Sequence, residues 1–141
     1  MHDPEFREMK TVIFACVHNA GRSQMAAAFF NARAAASKAH AISAGTNPGK
    51  HVHPEVLVVM KERQIDLGAA VPQRLTDDLA RGAALLVTMG CGEACPFVPG
   101  LEVIDWALPD PKGQPLERVR EIRDEIERRI AELLTVRDWA Q

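Results

Sequence analysis

Cys16 and Arg22 stand six residues apart, at the two ends of the stretch Cys16-Val17-His18-Asn19-Ala20-Gly21-Arg22, with Ser23 next. Their types point to one chemistry. A thiolate is a strong nucleophile, and a guanidinium presents a planar fork of donors that matches a tetrahedral oxyanion. If a helix starts directly after the loop, the N–H groups from Val17 to Ser23 converge with the helix N-terminus on one point and favour an anion there. Such surroundings also favour a cysteine in its thiolate form. Gly21 permits backbone geometry that a Cβ would obstruct. The outcome is a nucleophile aimed at a bound oxyanion. The spacing by itself is a weak signal, since a buried strand-end cysteine and an unrelated arginine give the same pattern. The flanking sequence has to supply the rest.

Attack on an oxyanion needs a leaving oxygen made neutral by a proton. Asp110, held between Pro109 and Pro111, is the candidate acid, because the prolines stiffen the loop that carries it. Asp105 competes, but it precedes Trp106 inside a strand pattern. Two further thiols, Cys91 and Cys95, lie in Gly90-Cys91-Gly92-Glu93-Ala94-Cys95-Pro96. Bridging cysteines need Cα atoms about 4.4–6.8 Å apart, whereas four extended residues span about 13 Å and four helical residues rise about 6 Å. Cys91 and Cys95 can therefore pair only if their segment is turned or helical; two buried or metal-binding cysteines are the alternative. His51 and His53 bracket Val52 with no carboxylate or cysteine at ligand spacing, so they read as surface histidines and no metal site is expected. For His18, tuning of the loop and a structural role both stay open.

The elements that must position these groups follow from periodicity. Thr11 to Ala15 is a short apolar, β-rich run, the pattern of a buried strand. Gln24 to Ala28 are strong helix formers, which predicts a helix from Ser23 to about Ala36 with Ser23 as its cap. A second strand is expected at His40–Ser43, a helix from Pro54 to about Arg63, a short helix at Asp77–Arg81 capped by Thr76, and a third strand at Ala84–Met89. Val103–Trp106 reads as a fourth strand. The last helix, about Leu116 to Leu134, buries Val119, Ile122, Ile126, Ile130 and Leu133 and carries Asp124–Arg128 and Glu125–Arg129 pairs outside. Strands alternate with helices, so the fold class is α/β: three layers, with a four-stranded parallel sheet flanked by helices. Sites in such folds lie at the carboxyl ends of strands, and Cys16, Cys91 and Asp110 all follow strand ends, which places them on one rim.

The 141 residues suggest one domain, residues 9–141, preceded by a polar segment, Met1 to Glu8, that reads as a vector-derived leader before a native start at Met9. A net charge near −2 gives no basic surface for nucleic acid, and no apolar run reaches the ~18 residues of a membrane span. Three cysteines, an odd count, do not suggest a secreted disulfide framework; a reducing, cytoplasmic setting is expected.

The sequence CVHNAGRSQMA resembles the phosphate-loop signature of low-molecular-weight protein tyrosine phosphatases, and is closer still to the arsenate reductases of the same fold. The likeness runs from about Lys10 to the last helix. Ser43-Ala44-Gly45-Thr46 also matches, which implies that the Ser43 hydroxyl and Asn19 help to fix the loop. The resemblance implies Asp110 as general acid. It further implies that Cys16 attacks arsenate, that Cys91 attacks the adduct and releases arsenite, and that Cys95 then closes a Cys91–Cys95 disulfide for an external reductant. Thioredoxin-linked reductases of this kind use three cysteines, although their later pair is spaced more widely; the shorter TMGCGEACP form is also similar to relatives served by a low-molecular-weight thiol. The expectation is an arsenate reductase with no tightly bound cofactor, partnered by arsenate or phosphate and by thioredoxin, a glutaredoxin-like protein or a small thiol. The alternative is a phosphatase that hydrolyses phosphate monoesters through a phosphocysteine; a non-catalytic oxyanion-binding module is a third reading. Phosphotyrosine recognition wants aromatic walls, whereas the chain has no tyrosine and Trp106 falls in a strand pattern; arsenate is small and needs no such wall.

Overall fold

Val12, Ile13, Phe14 and Ala15 are wholly excluded from solvent, as a strand covered on both faces must be. In the computed structural model, which describes residues 9–90 and 98–141, they form the middle of β1 (Lys10–Cys16). The other elements are α1 (Arg22–Arg33), β2 (Ala39–Gly45), α2 (Pro54–Lys61), α3 (Asp77–Arg81), β3 (Leu85–Thr88), β4 (Glu102–Asp105) and α4 (Leu116–Val136). The described strands form one sheet in the order β2-β1-β3-β4, all parallel. The expected Met1–Glu8 leader lies outside the described residues, as do Cys91 and Cys95.

The two faces of the sheet are unequal. Val12, Phe14, Cys16, Leu85, Val87 and Met89 meet the apolar sides of α1, α2 and α4 in the larger core. Ile13, Ala15, Ala44 and Leu86 meet Leu75 and Leu79 on the other, where α3 is the covering helix. Helix α4 buries Val119, Ile122, Ile126, Ile130 and Leu133 as its periodicity requires. Phe30 joins the layers: its ring lies 5.8 Å from that of Phe14 and 6.0 Å from that of Trp139. Among the described residues, no helix is long and apolar enough to cross a membrane.

Several boundaries differ from the sequence expectation. Helix α1 stops at Arg33, because Ala34 turns extended to bridge Ala140 and the Ala35 N–H donates to the Trp139 carbonyl. Trp106 lies just past β4, which ends at Asp105. On α4, Glu125 pairs with Arg129 as expected, but Asp124 is drawn to Arg63 and Arg123, and Arg128 turns to Glu125 and Glu132. Arg63 lies outside α4, so helical spacing alone could not reveal the competition. Thr76 caps α3, its hydroxyl accepting from the Leu79 N–H.

Candidate active site

Cys16 is the last residue of β1, paired with Gly45, and is 2 % exposed. The loop beyond it is shaped by where its carbonyl oxygens go. Those of Cys16, Val17 and His18 accept from the backbone N–H groups of Thr46, Asn47 and Gly49, and that of Ala20 from His53. The Asn19 carbonyl accepts from Gln24 Nε2 at 3.0 Å, and the Gly21 carbonyl from the Met25 N–H in the first turn of α1. Six consecutive carbonyls are thus drawn outward. Among the described residues, no acceptor engages the N–H groups from Val17 to Ser23. Backbone donors are rarely left so. Seven of them in a row, opening on a helix N-terminus, make an anion cradle.

Asn19 holds the bend. It sits at φ +50, in the left-handed region that asparagine tolerates. Its Oδ1 accepts from the Gln73 N–H at 2.9 Å and from Gln24 Nε2 at 3.3 Å, which orients the amide so that Nδ2 donates to Ser23 Oγ at 2.7 Å. Ser23 Oγ is therefore occupied as an acceptor, and its own proton is free for Cys16 Sγ, 2.9 Å away. This corrects the expectation that Ser23 caps α1. The helix begins one residue earlier with Gly21 at the N-cap position and no side-chain cap, while the Ser23 hydroxyl turns back to the cysteine.

Arg22 is 8 % exposed. Its Nη1 donates to the Leu108 carbonyl at 2.9 Å, and Nη2 lies 3.9 Å from Asp110 Oδ2. Its Nε is buried with no partner among the described residues. The guanidinium thus spans from the cradle to the loop after β4. Asp110 stands there with its side chain about half exposed, Oδ1 accepting from the Lys112 N–H at 3.0 Å. Asp105, the rival acid, is engaged at the sheet end, where Thr88 Oγ1 donates to its Oδ1 at 2.7 Å. The arrangement brings a thiol, a row of unengaged N–H donors and a carboxyl group to one rim.

Other expected residues fall elsewhere. Ser43 lies on β2 opposite Phe14, and its carbonyl accepts from Gln73 Nε2. Among the described residues its hydroxyl makes no hydrogen bond to the loop; support comes instead from Asn19, Gln24, Gln73 and the backbone after β2. His18 points out of the loop, its Nδ1 against the Asn47 carbonyl at 3.0 Å, and His51 is exposed. Trp106 is buried against Phe14 with Arg129 over its ring, and the cavity it borders is lined by Ile104, residues of α4 and Arg137, not by the Cys16–Ser23 loop. Two residues matter at the rim through contacts the sequence did not give: Gly90, next to the Arg22 guanidinium, and Pro111, already read as a stiffener of the Asp110 loop, which packs against Gly21. Only the proline before and after Asp110 hinted at the second.

Known proteins share this plan. The family model for low molecular weight phosphotyrosine protein phosphatases matches residues 11–138. A Halobacterium salinarum protein named, provisionally, as an arsenate reductase is 42% identical over 124 residues, 85% of this chain and 87% of its own. The glutaredoxin arsenate reductase of Synechocystis is 33% identical over 129 residues, 89% of this chain and 97% of its own. The solved structure of a thioredoxin-dependent arsenate reductase from Corynebacterium glutamicum superposes with a TM-score of 0.80 at 40% identity, covering 93% of this chain but 63% of that longer one. The matched span takes in all of the sheet but its first residue, Lys10, with the Cys16–Ser23 loop and Asp110, and the chain belongs to the low molecular weight phosphotyrosine protein phosphatase family, in its arsenate reductase branch.

Proposed function

We propose that the protein is an arsenate reductase. The observation that carries the reading is the row of N–H groups from Val17 to Ser23, beside Cys16 and including that of Arg22, which no acceptor engages among the described residues and which supports a site for one tetrahedral oxyanion. Arsenate binds in this cradle. The Cys16 thiolate, steadied by the Ser23 hydroxyl, attacks arsenic, and Asp110 donates a proton to the departing oxygen, which leaves as water. Cys91 follows Gly90, which lies against Arg22. Its thiolate attacks the Cys16 sulfur of the adduct. The S–As bond breaks with its electron pair going to arsenic, so arsenite leaves and a Cys16–Cys91 disulfide forms. Cys95 then attacks Cys91, frees Cys16 and leaves a Cys91–Cys95 disulfide. An external thiol, from a thioredoxin- or glutaredoxin-type protein or a small thiol, supplies the two electrons that reopen it.

The test is a single turnover without external reductant. Reduced protein is mixed with arsenate, and arsenite and free thiols are counted together. One arsenite with two thiols lost per chain is expected, and peptide mapping should find the Cys91–Cys95 pair. Cys95→Ser should stop at a Cys16–Cys91 disulfide. No arsenite, even after small thiols are added, would overturn the reading. Weak hydrolysis of phosphate monoesters is expected of the same cradle and does not compete with it. The burial of Trp106, which takes that ring out of use as a wall for a phosphotyrosine, weighs against that rival as the main activity.

A further inference from the structure

The loop between β4 and α4 carries Asp110, yet it is nearly all exposed. From Ala107 to Arg118 the single buried residue is Pro111. Its ring is seated on Gly21: a Cβ built at Gly21 would lie 2.8 Å from Pro111 Cγ and 3.5 Å from Cδ. The second tie is the Arg22 Nη1 bond to the Leu108 carbonyl. The loop therefore rests on two consecutive residues of the phosphate-type cradle, one through packing and one through a hydrogen bond.

The packing point lies next to the carboxyl group it would control. Pro111 has a fixed φ, and a proline at that place restricts the backbone of Asp110 as well. The Asp110 carboxylate is further tied to the Lys112 N–H, and the Gln114 N–H donates to the Pro111 carbonyl. Few soft torsions separate the Pro111 ring from Asp110 Oδ2, so a shift at the ring is passed to the carboxyl group. The side chain at position 21 sets how closely the ring can approach.

We propose that Gly21 and Pro111 are positioning residues, whose contact sets the distance between the Asp110 carboxyl group and the oxyanion held by Cys16 and Arg22. Neither touches the reacting atoms through its side chain. The inference rests on the reading of Asp110 as proton donor, and not on whether arsenate or a phosphate ester is the natural substrate.

Gly21→Ala places a methyl carbon 2.8 Å from Pro111 Cγ, closer than ordinary contact allows, and should push the loop away. Turnover is measured with arsenate and with para-nitrophenyl phosphate, and inorganic phosphate is used as competitive inhibitor. Gly21→Ala should lower kcat about tenfold or more on both substrates, since displacements near 1 Å can remove about a hundredfold, and any loss of phosphate inhibition, to which the Gly21 N–H itself contributes, should be much smaller than the loss in kcat. Adding Pro111→Ala, which removes Cγ and Cδ, should recover most of the loss. Asp110→Asn should be far less damaging in the Gly21→Ala background than in the wild type, because the acid is already out of place. Phosphate binding that weakens in step with kcat, or no recovery from Pro111→Ala, would overturn the proposal. Should Gly21→Ala not fold, Pro111→Ala alone decides: lower kcat with unchanged phosphate inhibition supports the contact, and unchanged kcat overturns it. Asp110→Asn without effect in the wild type would remove the acid assignment and the inference with it. A wild-type enzyme that hydrolyses the ester but never reduces arsenate would overturn the proposed function and leave the contact standing.

Discussion

Replacing Gly90 by alanine should disable the oxyanion site by way of Arg22. A Cβ at position 90 would lie 2.5 Å from Arg22 Nη1, 3.2 Å from Cζ and 3.3 Å from Nη2. Ordinary contact begins at 3.4 Å, so the guanidinium has to retreat by about 0.9 Å. That movement breaks the 2.9 Å bond to the Leu108 carbonyl and takes the fork off the cradle. A hydrogen bond to a charged group is worth about 1.5–3 kcal/mol, so phosphate and arsenate affinity should fall by about tenfold to a hundredfold. Gly90 also sits at φ +107, a conformation that is strained for alanine by about 1–2 kcal/mol. Gly100→Ala separates the two effects, because Gly100 has φ +83 with nothing within 4 Å of a built Cβ. Urea unfolding should show both variants destabilised, Gly90→Ala the more because it also loses the bond to Leu108, while calorimetric titration with phosphate should show weakened binding in Gly90→Ala alone. If Gly90→Ala binds phosphate and turns over arsenate like the wild type, Gly90 is not what makes room for the arginine.

Arg22→Lys keeps the charge but loses the planar fork, and should reduce kcat/KM for arsenate by about a hundredfold or more while leaving the urea midpoint near that of the wild type. Glu62 is held down at about 2 by hydrogen bonds from Arg120 and Arg123. Its folded value lies below its unfolded one, so the stabilisation is present above pH ~4.5 and is lost as pH falls toward 2. Glu62→Gln should therefore be less stable than the wild type at pH 7, with the gap narrowed at pH 3 and closing toward pH 2 in urea titrations. Phe30→Ala removes a fully buried ring that contacts both Phe14 and Trp139, and should lose about 3–5 kcal/mol in the same assay.

Much of the molecule is written in runs of neighbouring residues. The apolar run at Val12–Ala15, the helix formers after Ser23, the Thr76 cap and the i, i+3, i+4 face of α4 are local patterns, and each appears where its period places it. The same locality made Cys16, Arg22 and the Pro-bounded Asp110 visible as chemistry, and the strand-end rule brought Cys16 and Asp110 to one rim. Tertiary structure decided what those residues touch. Ser23 reads as a cap from its neighbours, yet Asn19 and Cys16 claim its hydroxyl because the loop folds back over the end of β1. Ser43 reads as loop support, but the pairing of β2 with β1 sets it level with Phe14, below the loop, and Gln73 reaches Asn19 from 54 residues away. The Arg22 bond to Leu108 spans 86 residues, and Gly90 and Pro111 join the site because the order β2-β1-β3-β4 puts the end of β3 beside that of β1 and the end of β4 next beyond it. Periodicity reports which face of an element is apolar; which residues meet across strand ends is fixed by sheet order and register, and no window of consecutive residues contains that.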